Sequence, residues 1–461
     1  MEKTEIQVDR LTLDGDGIGR LENGTQQGMA AFVPYALPGE RVLAELLFRR
    51  KHHSRWLPLK IVRPSQKRLL PPCGYHFRPG IREPWCGGCN WQQMAPALQR
   101  ETKSQLVEET LVRLGGFVQP PVLPTVASPA DWRYRNKVQV PFGRRKGRLV
   151  AGFYAPGSHE IVEFSDCLVQ PDLAVQIILA VKKLANDSRW KAYDEDAHRG
   201  WLRHLLIRMN REGKALVALV TVDSSFPGKN QFVDAIRSRF PAVIGLHQNI
   251  QSAKSHVILG QYWKHLWGAE KITETLGGLR LSYSPGSFFQ VNTAAAERLF
   301  ELTIEALKPS PETVVLDLYC GVGALTLMAG RRAGRAIGVE AVPSAIRDAR
   351  ANAAANDIKN VEFLEGEVEQ VLSPTSSLKE RLAGRPLAVI LDPPRSGCAE
   401  TVLASVLSLA PARIVYVSCH PATLARDLKR LNAAYHLKSV TPVDLFPQTS
   451  HIETISLLEK K

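Results

Sequence analysis

From Phe288 to the C-terminus, short apolar runs alternate with helical stretches, and few folds accept that pattern. Candidate strands lie at 313–318, 335–339, 361–364, 387–391 and 413–417, with helical stretches between them, notably 322–331 and 343–357. Alternation of this kind predicts an α/β architecture built on a largely parallel, doubly wound sheet. Runs at 435–440 and 452–459 read as an antiparallel pair that closes its edge. Such a sheet offers one crevice, at the carboxyl ends of its strands, where a ligand can bind.

At 461 residues the chain is too long for one core, and its texture divides it in three. Residues 1–65 carry short strands broken by glycines, which predicts a small closed barrel of the OB type. Residues 66–286 begin at Pro71-Pro72 and read as a mixed α/β middle domain, with a helical stretch at 95–115 that ends at Gly115-Gly116. Residues 287–461 form the alternating domain. No run of about 18 apolar residues appears, and the first ten residues lack an apolar signal core. A cytoplasmic protein with no membrane association is the expectation.

The formal charge is +14, and the distribution is informative. Residues 49–68 hold eight Lys or Arg and no acid, with His52, His53 and Trp56 interleaved; Arg144, Arg145, Lys146 and Arg148 form a second cluster. A solvated basic loop would account for the first run alone. Two clusters together point to a nucleic acid.

Three motifs fall at ends of the predicted parallel strands. Asp317-Leu318-Tyr319-Cys320-Gly321-Val322-Gly323 places glycines at a strand-to-helix turn, where a ligand can approach the backbone. The third glycine of the dinucleotide fingerprint is missing. Gly338-Val339-Glu340 supplies a carboxylate about twenty residues later, suited to ribose hydroxyls. In Asp392-Pro393-Pro394-Arg395 the prolines stiffen the exit from the sheet and aim Asp392 and Arg395 into the crevice.

Cys419, in Ser418-Cys419-His420-Pro421, follows the fifth strand, and Glu453 lies near the start of the last one. A lone Cys in an α/β core is more often packing than chemistry, and a lone Glu is usually solvated. In one crevice the two suit a reaction at carbon 5 of a pyrimidine: a thiolate adds to carbon 6, carbon 5 becomes nucleophilic, and a base then removes its proton. Cys73, Cys86, Cys89 and Cys167 form a separate group whose Cys-x-x-Cys core equally permits zinc or an iron–sulfur cluster.

At these residues the chain resembles the RNA uridine carbon-5 methyltransferases, most closely those that modify large-subunit (23S) ribosomal RNA and carry a TRAM domain and an iron–sulfur cluster. The matching motifs span nearly the whole chain: Phe32-Val33-Pro34-Tyr35, Pro38-Gly39-Glu40, Cys86 to Gln92, Tyr134-Arg135-Asn136-Lys137, Ser287 to Asn292, Asp317 to Gly323, Asp392 to Arg395, Ser418 to Leu428 and Phe446 to Glu453. The resemblance implies a TRAM barrel, a Rossmann-like methyltransferase domain, and S-adenosylmethionine held by Gln290, Tyr319, Glu340, Asp392 and Glu367, the last near the adenine. It implies Cys419 as nucleophile, Glu453 as base, and a [4Fe–4S] cluster on Cys73, Cys86, Cys89 and Cys167. The gap from Cys73 to Cys86 exceeds the family spacing. It also implies that the helix near 95–115 packs on the catalytic domain, and that Cys320 and Cys398 are structural. The partner expected is RNA, ribosomal first and transfer RNA second, acted on by a monomer. A cytosine carbon-5 methyltransferase and a non-catalytic RNA-binding iron–sulfur protein are the rival readings.

Overall fold

The computed structural model describes the chain except for Met1, 23–26, 82–83, 256, 374–377 and 383. Arg82 and Glu83, inside the long Cys73–Cys86 spacing, therefore lie outside the described residues.

The N-terminal strands β1 (Lys3–Leu11), β2 (Gly17–Arg20), β3 (Ala30–Val33), β4 (Arg41–Arg49) and β5 (His53–Arg63) close into a barrel in the order β1-β2-β3-β5-β4. Its core is Ile6, Val8, Ala31, Val33, Val42, Ala44 and Trp56. At Gly19 a Cβ would stand 1.9 Å from the Gln7 carbonyl oxygen, so only glycine lets β1 and β2 pair there. The basic run 49–68 is not a loop. Most of it is β5, in which Ser54, Trp56 and Pro58 point inward and the residues between them face outward.

Helix α1 (Pro96–Thr110) ends in a π turn, Leu111–Gly115, with Gly116 in the left-handed region. The middle sheet is built from β6 (Lys137–Arg145), β7 (Arg148–Tyr154), β8 (Ile161–Glu163), β9 (Leu202–Met209), β10 (Ala215–Thr221), β11 (Val243–Ile250) and β12 (Tyr262–Gly268), in the order β12-β11-β10-β9-β6-β7-β8. Helices α2 (Asp172–Asp187) and α3 (Lys229–Arg239) share its apolar core. The hairpin β13 (Ile272–Leu276) and β14 (Leu279–Tyr283) comes next, and its buried side chains join the core of the C-terminal domain.

The C-terminal domain runs α4 (Thr293–Leu307), β15 (Val314–Leu318), α5 (Ala324–Gly330), β16 (Arg335–Glu340), α6 (Pro343–Ala355), β17 (Val361–Glu365), α7 (Val368–Val371), α8 (Leu378–Leu382), β18 (Leu387–Leu391), α9 (Glu400–Leu409), β19 (Arg413–Ser418), α10 (Pro421–Leu431), β20 (Tyr435–Val443) and β21 (Glu453–Lys460). Strand order is β17-β16-β15-β18-β19-β21-β20, with the first five parallel and the last two antiparallel. The chain steps one way from β15 to β17 and the other way from β18 to β19. The crevice outside β15 and β18 is thus the topological switch point. Helices α4, α5 and α6 cover one face of this sheet, and α9, α10 and α1 cover the other. Among the described residues no helix is long and apolar enough to cross a membrane.

Candidate active site

The turn after β15 is shaped by three left-handed residues, Tyr319 (φ 71°), Gly321 (φ 55°) and Gly323 (φ 86°). A Cβ on Gly323 would meet the Phe363 ring at 2.9 Å, so the loop stays open only with glycine there. Tyr319 is not glycine, and a bulky residue in that region marks a conformation imposed by its surroundings. The Tyr319 and Cys320 amides donate to the Val339 carbonyl at 3.0 and 2.9 Å, which ties the turn to the end of β16. Glu340 completes the tie: its carboxylate accepts from the Gly321 and Val342 amides at 3.1 and 2.8 Å.

All seven side chains singled out for the crevice (Gln290, Tyr319, Glu340, Glu367, Asp392, Cys419 and Glu453) line one cavity of about 930 Å³. The pairing of β19 with β21 explains why two of them meet. Ser418 lies opposite Thr454 in that antiparallel ladder, so the next residue outward on each strand is Cys419 and Glu453.

The electrostatics of the cavity are those of a nest of acids. Asp317 is fully buried; Thr326 Oγ1 donates to its Oδ2 at 2.6 Å, while its Oδ1 has no hydrogen-bond partner among the described residues. Burial first, and then the Asp392 charge, push its carboxyl up to about 7. Burial likewise raises Asp392 to about 7. Glu453 is raised to about 8 by burial and by Asp392, against the opposing charges of Arg395 and Lys103. The Cys419 thiol is pushed up to about 11, mainly by burial, then by Glu453 and Asp392, with Arg395 opposing. Several carboxyls this close cannot all ionise cheaply, and the cavity therefore favours a cation.

Residues that the motifs left unassigned also line this wall. Arg135, Phe446 and His451 face the same space. Arg395 donates to His451 Nδ1 at 2.9 Å, and burial lowers His451 to about 4, so its ring accepts as the neutral form. Each lies inside or beside a motif already quoted, but residue type alone gave no signal that its side chain turns inward. A further cleft of about 610 Å³ opens from the other side of Cys419. Asp16, Tyr35 and Arg55 of the barrel line it together with Arg395, Cys419 and His451.

Cys73, Cys86, Cys89 and Cys167 line a second cavity, of about 310 Å³. Burial, augmented by the neighbouring thiols, pushes Cys86 and Cys89 up to about 12. Among the described residues no three His, Cys, Asp or Glu side chains are grouped to hold a single metal ion. Cys320 and Cys398 are buried in the sheet's two cores. Helix α1 lies against the catalytic domain, where Lys103 Nζ meets Asp444 Oδ1 at 2.7 Å and the Gln99 side chain bonds Gln448.

Comparison with known proteins matches residues 265–461 to the tRNA (uracil-5-)-methyltransferase family, a span that opens just before the β13–β14 hairpin. An RNA methyltransferase of Halalkalibacterium halodurans is 38% identical over 459 residues, covering 99% of this chain and 97% of the relative. One from Gloeobacter violaceus is 39% identical over 458 residues, 99% and 96% of the two chains. The chain belongs to the RNA uracil-5 methyltransferase family. The crystal structure of the Pyrococcus abyssi tRNA (uracil-54, C5)-methyltransferase, in complex with S-adenosyl-L-homocysteine, superposes with a TM-score of 0.75 at 25% identity, covering 99% of this chain and all of that one. Likeness to the uracil-5 methyltransferases thus extends through the barrel and the middle sheet, beyond the stretch that the family model matches.

Proposed function

We propose that this protein moves the methyl group of S-adenosylmethionine to carbon 5 of a uridine in RNA, with Cys419 as nucleophile and Glu453 as base. The observation that carries the reading is the convergence of Cys419 and Glu453 on one acid-lined cavity beside the glycine turn. A sulfonium donor suits those acids, and its charge would offset Asp392 and Glu453, which oppose ionisation of the thiol. Glu340, held by two amides, suits ribose hydroxyls, while Gln290, Tyr319, Asp392 and Glu367 line the rest of the donor space.

After losing its proton to water, Cys419 Sγ bonds to carbon 6, and the displaced electron pair makes carbon 5 nucleophilic. Carbon 5 then bonds to the methyl carbon as the donor's carbon–sulfur bond breaks. Glu453 takes the carbon-5 proton, the carbon 5–carbon 6 double bond re-forms, and Cys419 leaves as thiolate. A carboxylate raised to about 8 is a stronger base than an ordinary one, which fits that last task.

Large-subunit ribosomal RNA is the substrate we propose, on the motif resemblance. Transfer RNA is the second reading, favoured by the likeness along the whole chain to a transfer-RNA uracil-54 enzyme. The RNA strand would enter through the cleft between barrel and Cys419. On the motif resemblance we assign a [4Fe–4S] group to the four cysteines, whose thiols share one cavity; the Cys-x-x-Cys core by itself permits zinc equally. Such a cluster would cross-link three chain segments and take no part in methyl transfer.

The test supplies protein and S-adenosylmethionine with ribosomal or transfer RNA carrying tritium at uracil carbon 5. Release from ribosomal RNA that disappears in Cys419→Ala is expected. Release from transfer RNA alone overturns the ribosomal assignment, and no release from either overturns the methyltransferase reading.

A further inference from the structure

Glu453 and the loop before it are held from outside the catalytic sheet. Lys103, on α1, is completely buried, as is its partner Asp444. Its Nζ bonds Asp444 Oδ1 at 2.7 Å and the Phe446 carbonyl at 3.2 Å, so one ammonium grips two points of the 444–452 loop. One helical turn earlier, the Gln99 side chain accepts from the Gln448 amide at 2.8 Å and donates to Gln448 Oε1 at 3.0 Å. Gln99 and Lys103 thus share a face of α1, and together they hold a loop whose Gln448 has a φ of 69°. Asp444 directly follows Val443, and Val443 is the ladder partner of Glu453. The anchored end of the loop is therefore next to the base.

We propose that Lys103 is a positioning residue for uridine methylation: it fixes the 444–452 loop and keeps a buried positive charge within reach of Glu453. A buried ammonium is costly to desolvate, and a lysine that only filled space could be replaced by methionine without functional loss. The groups facing Glu453 are Asp392 beyond β18, Arg395, Cys419 beyond β19 and Lys103 from α1. Arg395 and Lys103 are the two that favour the ionised carboxylate. Arg395 lies in the cavity wall, where a bound substrate would also act on it. Lys103 lies behind the loop, away from the cavity wall; burial pushes its ammonium down, and Asp444 first and then Glu453 oppose that shift and favour the charge.

The inference rests on Glu453 being the base. Its test is the pH dependence of kcat for tritium release, at saturating RNA and donor, in wild type, Lys103→Met and Lys103→Gln. Loss of the positive charge raises the proton affinity of Glu453, so the acid limb should move up by about one pH unit. The variants should then lose roughly tenfold in turnover near about pH 6 and only about twofold near about pH 9. Glutamine keeps a hydrogen-bond donor toward Asp444 and supplies the result if the methionine variant fails to fold. A limb that stays at its wild-type position, or a loss uniform across pH, overturns the role of Lys103. Glu453→Gln separates the two ideas. Normal turnover in that variant removes the base itself; a trapped RNA–protein adduct beside an unmoved limb in the Lys103 variants removes only Lys103.

Discussion

The two cysteine-bearing cavities share a wall, where Arg135 and Val291 line both, yet their thiols are set in opposite ways. Cys419 is half-buried, and the charges acting on its thiol are those of Glu453, Asp392 and Arg395, where a bound cation or substrate would change its ionisation. Cys86, Cys89 and Cys167 are raised chiefly by burial and then by neighbouring thiols of the same group. The first arrangement suits the nucleophile proposed above, and the second suits the proposed ligand set. The largest contrast should come from removing one thiol of each kind. Cys419→Ala should lower turnover by roughly a thousandfold or more and leave thermal stability close to wild type. With the cluster proposed above, Cys89→Ala should lose iron and stability on the order of a few kcal/mol, with turnover falling only as far as folding does. Equal loss of stability in both variants would erase the distinction.

Glu453→Gln sharpens the comparison from the carboxyl side. Turnover should stop with RNA covalently attached, visible as a complex that survives denaturing electrophoresis. Stability should move the other way. The folded-state value of about 8 lies above the ordinary 4.5, so the folded protein holds a proton that the unfolded chain has released. That carboxyl therefore costs nothing below about pH 4.5, and its penalty grows until the pH passes about 8. The glutamine variant should be more stable than wild type by roughly 2–4 kcal/mol near about pH 9, and by nothing measurable near about pH 4. Denaturant melts at the two pH values check the sign. A variant that is less stable at the higher pH would mean that the carboxylate is better solvated than its burial implies.

Legibility of this site in the sequence followed the backbone. The parallel strands, the glycine turn and the order of strand-end motifs were readable because apolar periodicity and turn chemistry are local. That Cys419 and Glu453 border one crevice could be inferred because Cys419 directly follows β19 and Glu453 opens β21. The basic run 49–68 pointed to a nucleic-acid partner, but its charges hid the strand: only Ser54, Trp56 and Pro58 turn inward from β5, and two of the three are not apolar strand formers. Lys103 was invisible for the reverse reason: a lysine in a polar helix reads as solvated, and only the tertiary packing of α1 against Asp444 buries it. Hairpin β13–β14 shows the same limit, since its apolar residues could serve either neighbouring core and only packing assigns them.

Arg135 offers the finest test, because it belongs to both cavities. It is half-buried two residues before β6, and its charge reaches His451 in the first cavity. If the cysteine cavity only holds the fold together, Arg135→Ala and Cys86→Ala act through separate causes, and their effects on kcat/KM multiply. If cluster loss also shifts the shared wall, part of what Arg135→Ala removes is already gone in Cys86→Ala, and the double variant is less impaired than that product. Contact between the two sites sets the coupling at about 0.5–1 kcal/mol, a departure of two- to fivefold. We expect the coupled outcome, because the segment that follows Cys89 is itself bonded to the catalytic loop: the Asn90 and Trp91 amides donate to the Gln448 carbonyl at 3.2 and 3.1 Å, and the Ser450 amide donates to Asn90 Oδ1 at 3.0 Å. Strict multiplicativity in that cycle would show that the catalytic loop keeps its shape without help from the cysteine cavity.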